Sequence, residues 1–211
     1  MPRRLLSALA VAAAALALAA TAGAATDSFD GVAFSPFTIA PGNLACVGWS
    51  DDVVGATRLC DPINVLFPGR TLAGAIARLH AAGWRDAGGS TQWLYFASGT
   101  LVPVQAQLEV PDGPDPTQRY HVRLWQAAPG LVVGNVHHEH GNPHAIDMAW
   151  DGAQAFLART VCGARCGEAF LPTQAAIEGP SGLWRGWAND EVATVVPPPR
   201  ARLHTPAARR G

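Results

Sequence analysis

Between Tyr120 and Asp151 the chain reads YHVRLWQAAPGLVVGNVHHEHGNPHAIDMAWD, and no other stretch limits its fold as tightly. Two apolar-rich runs, Tyr120–Gln126 and Leu131–His137, flank an Ala-Ala-Pro-Gly turn signal, which is the pattern of a β-hairpin. Side chains of a strand alternate between its two faces. Val122 and Leu124 therefore share one face, while His121, Arg123 and Trp125 share the other. On the second strand Val132, Gly134 and Val136 alternate with Leu131, Val133, Asn135, His137 and Glu139. Register decides which sets meet, because a slip of one residue turns a whole strand over. The favoured pairing puts Val122, Leu124, Val132 and Val136 in the core. It gathers His121, Arg123, His137 and Glu139 on the opposite face, which is read as exposed. An even-numbered loop would bring His138 and His140 there instead.

The hairpin is expected in an exported chain. Arg3 and Arg4, the apolar stretch Leu5 to Ala20 and Ala22-Gly23-Ala24 have the layout of a signal peptide, with residues 1–25 removed. The apolar stretch is short for a membrane span, and no later one is long enough, so no transmembrane span is expected after leader removal. A secreted or periplasmic location follows. The leader takes two of the fifteen basic residues and none of the sixteen acidic ones, so the remainder is net acidic. That is not the footprint of a nucleic-acid binder. Every fixed cation is arginine, which excludes a Schiff-base lysine or a P-loop. In an oxidising compartment the four cysteines are expected as two disulfides, Cys46–Cys60 and Cys162–Cys166 by nearest-neighbour pairing, with the other connectivities left open. The first would close a loop worth about 3 kcal/mol. Cys162 and Cys166 as part of a zinc site is the rival reading.

Residues 26–60 read as an extended lead-in with a stapled loop, 61–196 as one folded domain and 197–211 as a disordered Pro/Arg tail. Pro62–Phe67 is a β-rich run. Thr71 opens a helix whose Leu72, Ala75, Ile76 and Leu79 keep helical spacing, and Gly83 stands at its C-terminal cap. Gln92–Phe96 and Leu101–Val110, broken by Pro103, are further strands. Trp150–Val161 is a second helix, with Ala153, Phe156, Leu157 and Val161 inward. Leu183–Trp187 and Glu191–Val196 are candidate edge strands. The order implies an α+β fold: a mostly antiparallel sheet with two helices on one face, a disulfide-stapled single domain.

The histidines leave three readings open. As a metal site, His137, His138, Glu139, His140 and His144, with His121 across the hairpin, offer the imidazoles and carboxylate that Zn²⁺ or another divalent metal accepts. Asp147 or Asp151 could then orient a ligand histidine. As an acid–base or anion site, His121 and Arg123, with Trp125 beside them, could hold and protonate a small anionic ligand. In the plainest reading these are surface histidines at a polar strand end, and Arg123 stacks on Trp125 or Trp93 or pairs with Glu139. His-His-Glu-His is not H-E-x-x-H, and no G-x-S-x-G elbow is present; Ser181 reads as a turn residue.

Pro62-Ile-Asn-Val-Leu-Phe67, Ala82-Gly-Trp84, His121-Val-Arg-Leu-Trp125, Val133-Gly134, and His144 with the downstream Asp151 together resemble the LssY C-terminal domain family. The likeness runs from about Asp61 to Arg159, and H-x-R-L-W is its most specific piece. In that family the domain often follows a membrane-embedded PAP2-type lipid phosphatase half. Neither that half nor its phosphate motifs occur here, so the resemblance carries no phosphatase activity. It implies an envelope-associated binding or accessory module, whose partner would be an envelope component or a small anionic ligand. The alternative is a metal-dependent hydrolase acting on an anionic, phosphate-bearing envelope substrate.

Overall fold

The computed structural model describes residues 27–39, 61–88, 94–97, 100–141, 145–147, 150–171 and 190–198. Residues 1–26, Cys46, Cys60, Trp93, His144, Ser181, Leu183–Trp187 and the chain beyond Pro198 lie outside the described residues, and so do the readings made on them. A small sheet, ordered β1-β2-β5-β6, comprises β1 (Asp27–Phe29), β2 (Val32–Ile39), β5 (Leu94–Ala97) and β6 (Thr100–Pro103). The main sheet has eight strands: β3 (Val65–Pro68), β4 (Arg85–Asp86), β7 (Ala106–Pro111), β8 (Arg119–Ala128), β9 (Leu131–His140), β10 (Ala145–Asp147), β11 (Gly167–Phe170) and β12 (Val192–Val195). Seven of these run in the order β11-β12-β3-β9-β8-β7-β4, and β10 pairs with the far end of β9. Among the described strands only the pairing of β12 with β3 is parallel. Helices α1 (Leu72–His80) and α2 (Trp150–Val161) both pack on one face. The α+β class, the mostly antiparallel sheet and the Cys162–Cys166 disulfide are all present.

Local chemistry explains the helix ends. The Thr71 hydroxyl accepts from the Gly74 N–H at 3.2 Å, a cap worth about 1 kcal/mol. At the other end Gly83 has φ +90°, and the Trp84 N–H reaches the Leu79 carbonyl while Gly83 reaches His80, closing a Schellman motif. Trp84 is thereby driven into the core. The core on the helical side joins Ala75 and Leu79 of α1 to Ala153, Leu157 and Val161 of α2, over Val122, Leu124, Val132 and Val136 of the sheet.

The opposite face is covered as well. Trp125, Leu131 and Val133 pack there with Ile63, Leu66, Leu171, Ala193 and Phe34 of β2. The lead-in therefore contributes to the core, and the face read as exposed is buried; alternation had suggested a strand wet on one side. Two further expectations change. Leu101–Val110 is split between sheets, β6 in the small one and β7 in the main one. The strand near Glu191–Val196 is interior, lying between β11 and β3.

The hairpin register is the favoured one, but its origin lies in a bulge. Ala128 pairs with Leu131 across the two-residue loop Pro129-Gly130, where Gly130 has φ +83°. The register then shifts between Gln126 and Ala128, so that Gln126 meets Val132 and His121 meets His137. Without the extra residue, Ala127, His121 would stand opposite His138. The Gln126 side chain holds the bulge: its amide donates to the Ala128 and Leu131 carbonyls at 2.7 and 3.0 Å, and its oxygen accepts from Leu72 at the start of α1. Gly134 is needed further along β9, since a Cβ there would sit 2.7 Å from Val65 Cγ1 and 2.9 Å from the Arg123 carbonyl.

Candidate metal centre

The centre grows from the odd-numbered face of β8 and β9, where cross-strand pairs are Arg119 with Glu139, His121 with His137, Arg123 with Asn135, and Trp125 with Val133. His121, Arg123, Asn135, His137 and Glu139 are all buried, His137 completely. Three donor atoms converge. His121 Nδ1 lies 3.3 Å from His137 Nε2 and 3.1 Å from Glu139 Oε1, and His137 Nε2 lies 3.0 Å from the same oxygen. A tetrahedral ion with bonds of about 2.0–2.1 Å to nitrogen or oxygen holds its ligand atoms about 3.3 Å apart. The triangle is close to one face of such a tetrahedron, and this buried group could hold a metal ion.

Two of the three side chains are oriented by neighbours. Glu139 Oε2 accepts from Arg119 Nε and Nη2 at 2.8 and 2.7 Å, leaving Oε1 for the histidines. Arg119 continues through Glu109 to Arg85, a ladder of alternating charge across four strands that reaches solvent. His137 Nδ1 lies 2.9 Å from Asn135 Oδ1. The Asn135 amide nitrogen donates to the Pro62 carbonyl at 2.8 Å, which fixes the side chain with its oxygen toward His137. That oxygen also accepts from Arg123 Nη1 at 3.0 Å, and Arg123 in turn binds Asp61 Oδ2 at 2.7 Å. Trp150 lies edge-on to His137, with ring centroids 6.2 Å apart. His121 Nε2 is buried without a hydrogen-bond partner among the described residues.

Burial holds both imidazoles below their ordinary value, His137 far below it, and the Arg123 charge adds to the effect at His137. At Glu139 burial is the largest influence and opposes ionisation, but the close contacts to His121 and His137 outweigh it and hold the carboxyl well below the usual carboxylate range. Burial pushes the Asp61 carboxyl up, against the pull of Arg123.

The remaining sequence candidates are placed elsewhere. His138 lies 3.1 Å from Asp112 with its ring tilted against Tyr120, and His140 is exposed at the strand end; neither joins the triangle. Arg123 is engaged by Asp61 and Asn135, and Trp125 packs in the second apolar cluster. Asp151 accepts from the Asp190 N–H and does not support a histidine, while the side chain of Asp147 lies outside the described residues. The supporting groups are instead Asn135, Arg119 and Asp61, which were not singled out. The signal for Asn135 was available: a lone amide in an apolar strand, in phase with His137 and Glu139. Cys162 is bonded to Cys166, which removes both from any zinc site. No family model, curated protein or solved structure matches the chain.

Proposed function

We propose that this chain is an exported binding module, of the kind its likeness to the LssY C-terminal domain implies, built around a zinc-class divalent ion. His121, His137 and Glu139 are its ligands. One observation carries the reading: two imidazole nitrogens and one carboxylate oxygen, from three different side chains, lie within 3.3 Å of one another in a buried setting. Imidazole donors favour zinc and its transition-metal neighbours over calcium or magnesium, which prefer oxygen. The hydrogen bond that Asn135 accepts from His137 and those that Arg119 donates to Glu139 are the outer support that such ligands have.

A metal-dependent hydrolase of an anionic envelope substrate is the second reading. Three protein donors is the number found in catalytic zinc sites, which keep a fourth position for water or substrate. Elemental analysis and zinc titration of the purified mature chain test the centre itself. One ion per chain is expected, and Glu139→Gln should weaken uptake by at least about 10-fold. A wild-type chain that retains no metal and takes up none would overturn the proposal. Zinc-dependent cleavage of a phosphodiester that Glu139→Gln abolishes would favour the hydrolase; uptake without turnover favours the binding module.

A further inference from the structure

The geometry points to Asn135 as a positioning residue that decides which nitrogen of His137 faces the centre, with Arg123 and Asp61 behind it. The inference rests on the metal-centre reading for its purpose but not for its evidence. Asn135 can present only an oxygen to His137, because its nitrogen is committed to the Pro62 carbonyl and its oxygen already accepts from Arg123. An acceptor at 2.9 Å from His137 Nδ1 requires a proton on that nitrogen. In the neutral ring Nε2 then carries the lone pair, and it is this atom that lies 3.0 Å from Glu139 Oε1 and 3.3 Å from His121 Nδ1. Two acceptors facing each other at 3.0 Å in a buried site repel, so the arrangement needs positive charge or a donor between them. In the metal-free protein the His121 Nδ1–H supplies the donor and is shared by both. A bound cation would supply the charge directly, with His121 Nδ1 and His137 Nε2 as its nitrogen donors.

The relay accounts for a costly feature. Asp61 and Arg123 form an ion pair 2.7 Å apart, both almost fully buried, and such a pair seldom adds net stability over apolar packing. Its guanidinium holds Asn135 Oδ1 in place from the side opposite Pro62. His137 is thereby locked by a chain of three hydrogen bonds of 2.7, 3.0 and 2.9 Å running back to Asp61.

Long-range ¹H–¹⁵N NMR of the imidazoles in the metal-free mature protein tests this without using metal at all. His137 should be protonated at Nδ1 in the wild type. Asn135→Leu removes the acceptor and should give a mixed tautomer, with zinc affinity falling about 10–100-fold. Asn135→Asp keeps an oxygen toward His137 Nδ1 and should keep the Nδ1–H form, at a cost in stability because its second oxygen meets the Pro62 carbonyl to which the amide donated. His137 found protonated at Nε2 in the wild type would overturn the inference. So would a folded Asn135→Leu variant with wild-type tautomer and wild-type zinc affinity. If Asn135→Leu does not fold, the wild-type tautomer alone decides. A wild type with the Nδ1–H tautomer but no zinc uptake would end the metal-centre reading and leave the positioning role standing.

Discussion

At the scale of the residue, the centre is a set of ionisable groups taken out of water. His121 and His137 are held neutral by burial below the ordinary 6.5. Because their values in the folded protein lie below those of the unfolded chain, protonation favours unfolding. Their contribution is therefore present above about pH 6.5 and is lost as pH falls toward the folded values. Glu139 acts in the same direction at lower pH, its contribution being lost as pH falls below the ordinary 4.5. Asp61, raised by burial, acts oppositely: its contribution is full below the ordinary 3.8 and is lost as pH rises through the raised value. The histidines and Glu139 outnumber it. Urea midpoints of the metal-free protein should fall steadily between pH 7.5 and pH 4.5, and a flat profile would show that the histidines are not held neutral. The buried setting also changes what truncation does. A side chain removed from a wet face costs within about 0.5 kcal/mol, whereas His121→Ala and His137→Ala here orphan buried partners.

At the scale of the element, the β8–β9 hairpin is set by its bulge. The Pro129-Gly130 loop alone would pair His121 with His138 and send Tyr120 and Val122 to the polar side. The extra residue at Ala127 restores the match of Val122 with Val136 and of His121 with His137. Burial of Val122, Leu124, Val132 and Val136 supplies the driving force, and Gln126 supplies the hydrogen bonds the bulge would otherwise lack. Gln126→Ala leaves the Ala128 and Leu131 carbonyls and the Leu72 N–H without this partner. It should cost roughly 1–3 kcal/mol in denaturant titration. Zinc affinity should fall with it, since the two ligand strands lose the feature that aligns them. An unchanged midpoint and affinity would mean that apolar packing alone sets the register.

At the scale of the whole molecule, the three proposed ligands come from two strands of a sheet buried on both faces, so metal uptake would be coupled to folding. An ion that binds only the folded chain adds about 2.7 kcal/mol of stability at 100 times its dissociation constant. Thermal unfolding should shift upward with zinc and return on chelation, and Glu139→Gln should abolish the shift. A wild-type melting temperature indifferent to zinc would contradict the centre.

The periodicities of the chain were enough to determine the two helices, the hairpin and which residues of each strand share a face; they favoured one register and left the other open. These are local consequences of 3.6-residue and two-residue spacing, of the caps at Thr71 and Gly83, and of the Pro-Gly turn. Tertiary structure decided the rest. Alternation cannot reveal what covers a polar face, and here Phe34, Ile63, Leu66 and Leu171, distant in sequence, bury the neighbouring apolar part of it. Nor does spacing show that Asp61 and Asn135, 74 residues apart in number, meet through Arg123. Parity separates His138 and His140 from His137 and Glu139, and only the bulge at Ala127 determines which parity faces His121. The choice between a wet polar ladder and a buried His–His–Glu cluster thus lay in contacts between distant segments, which no local pattern records.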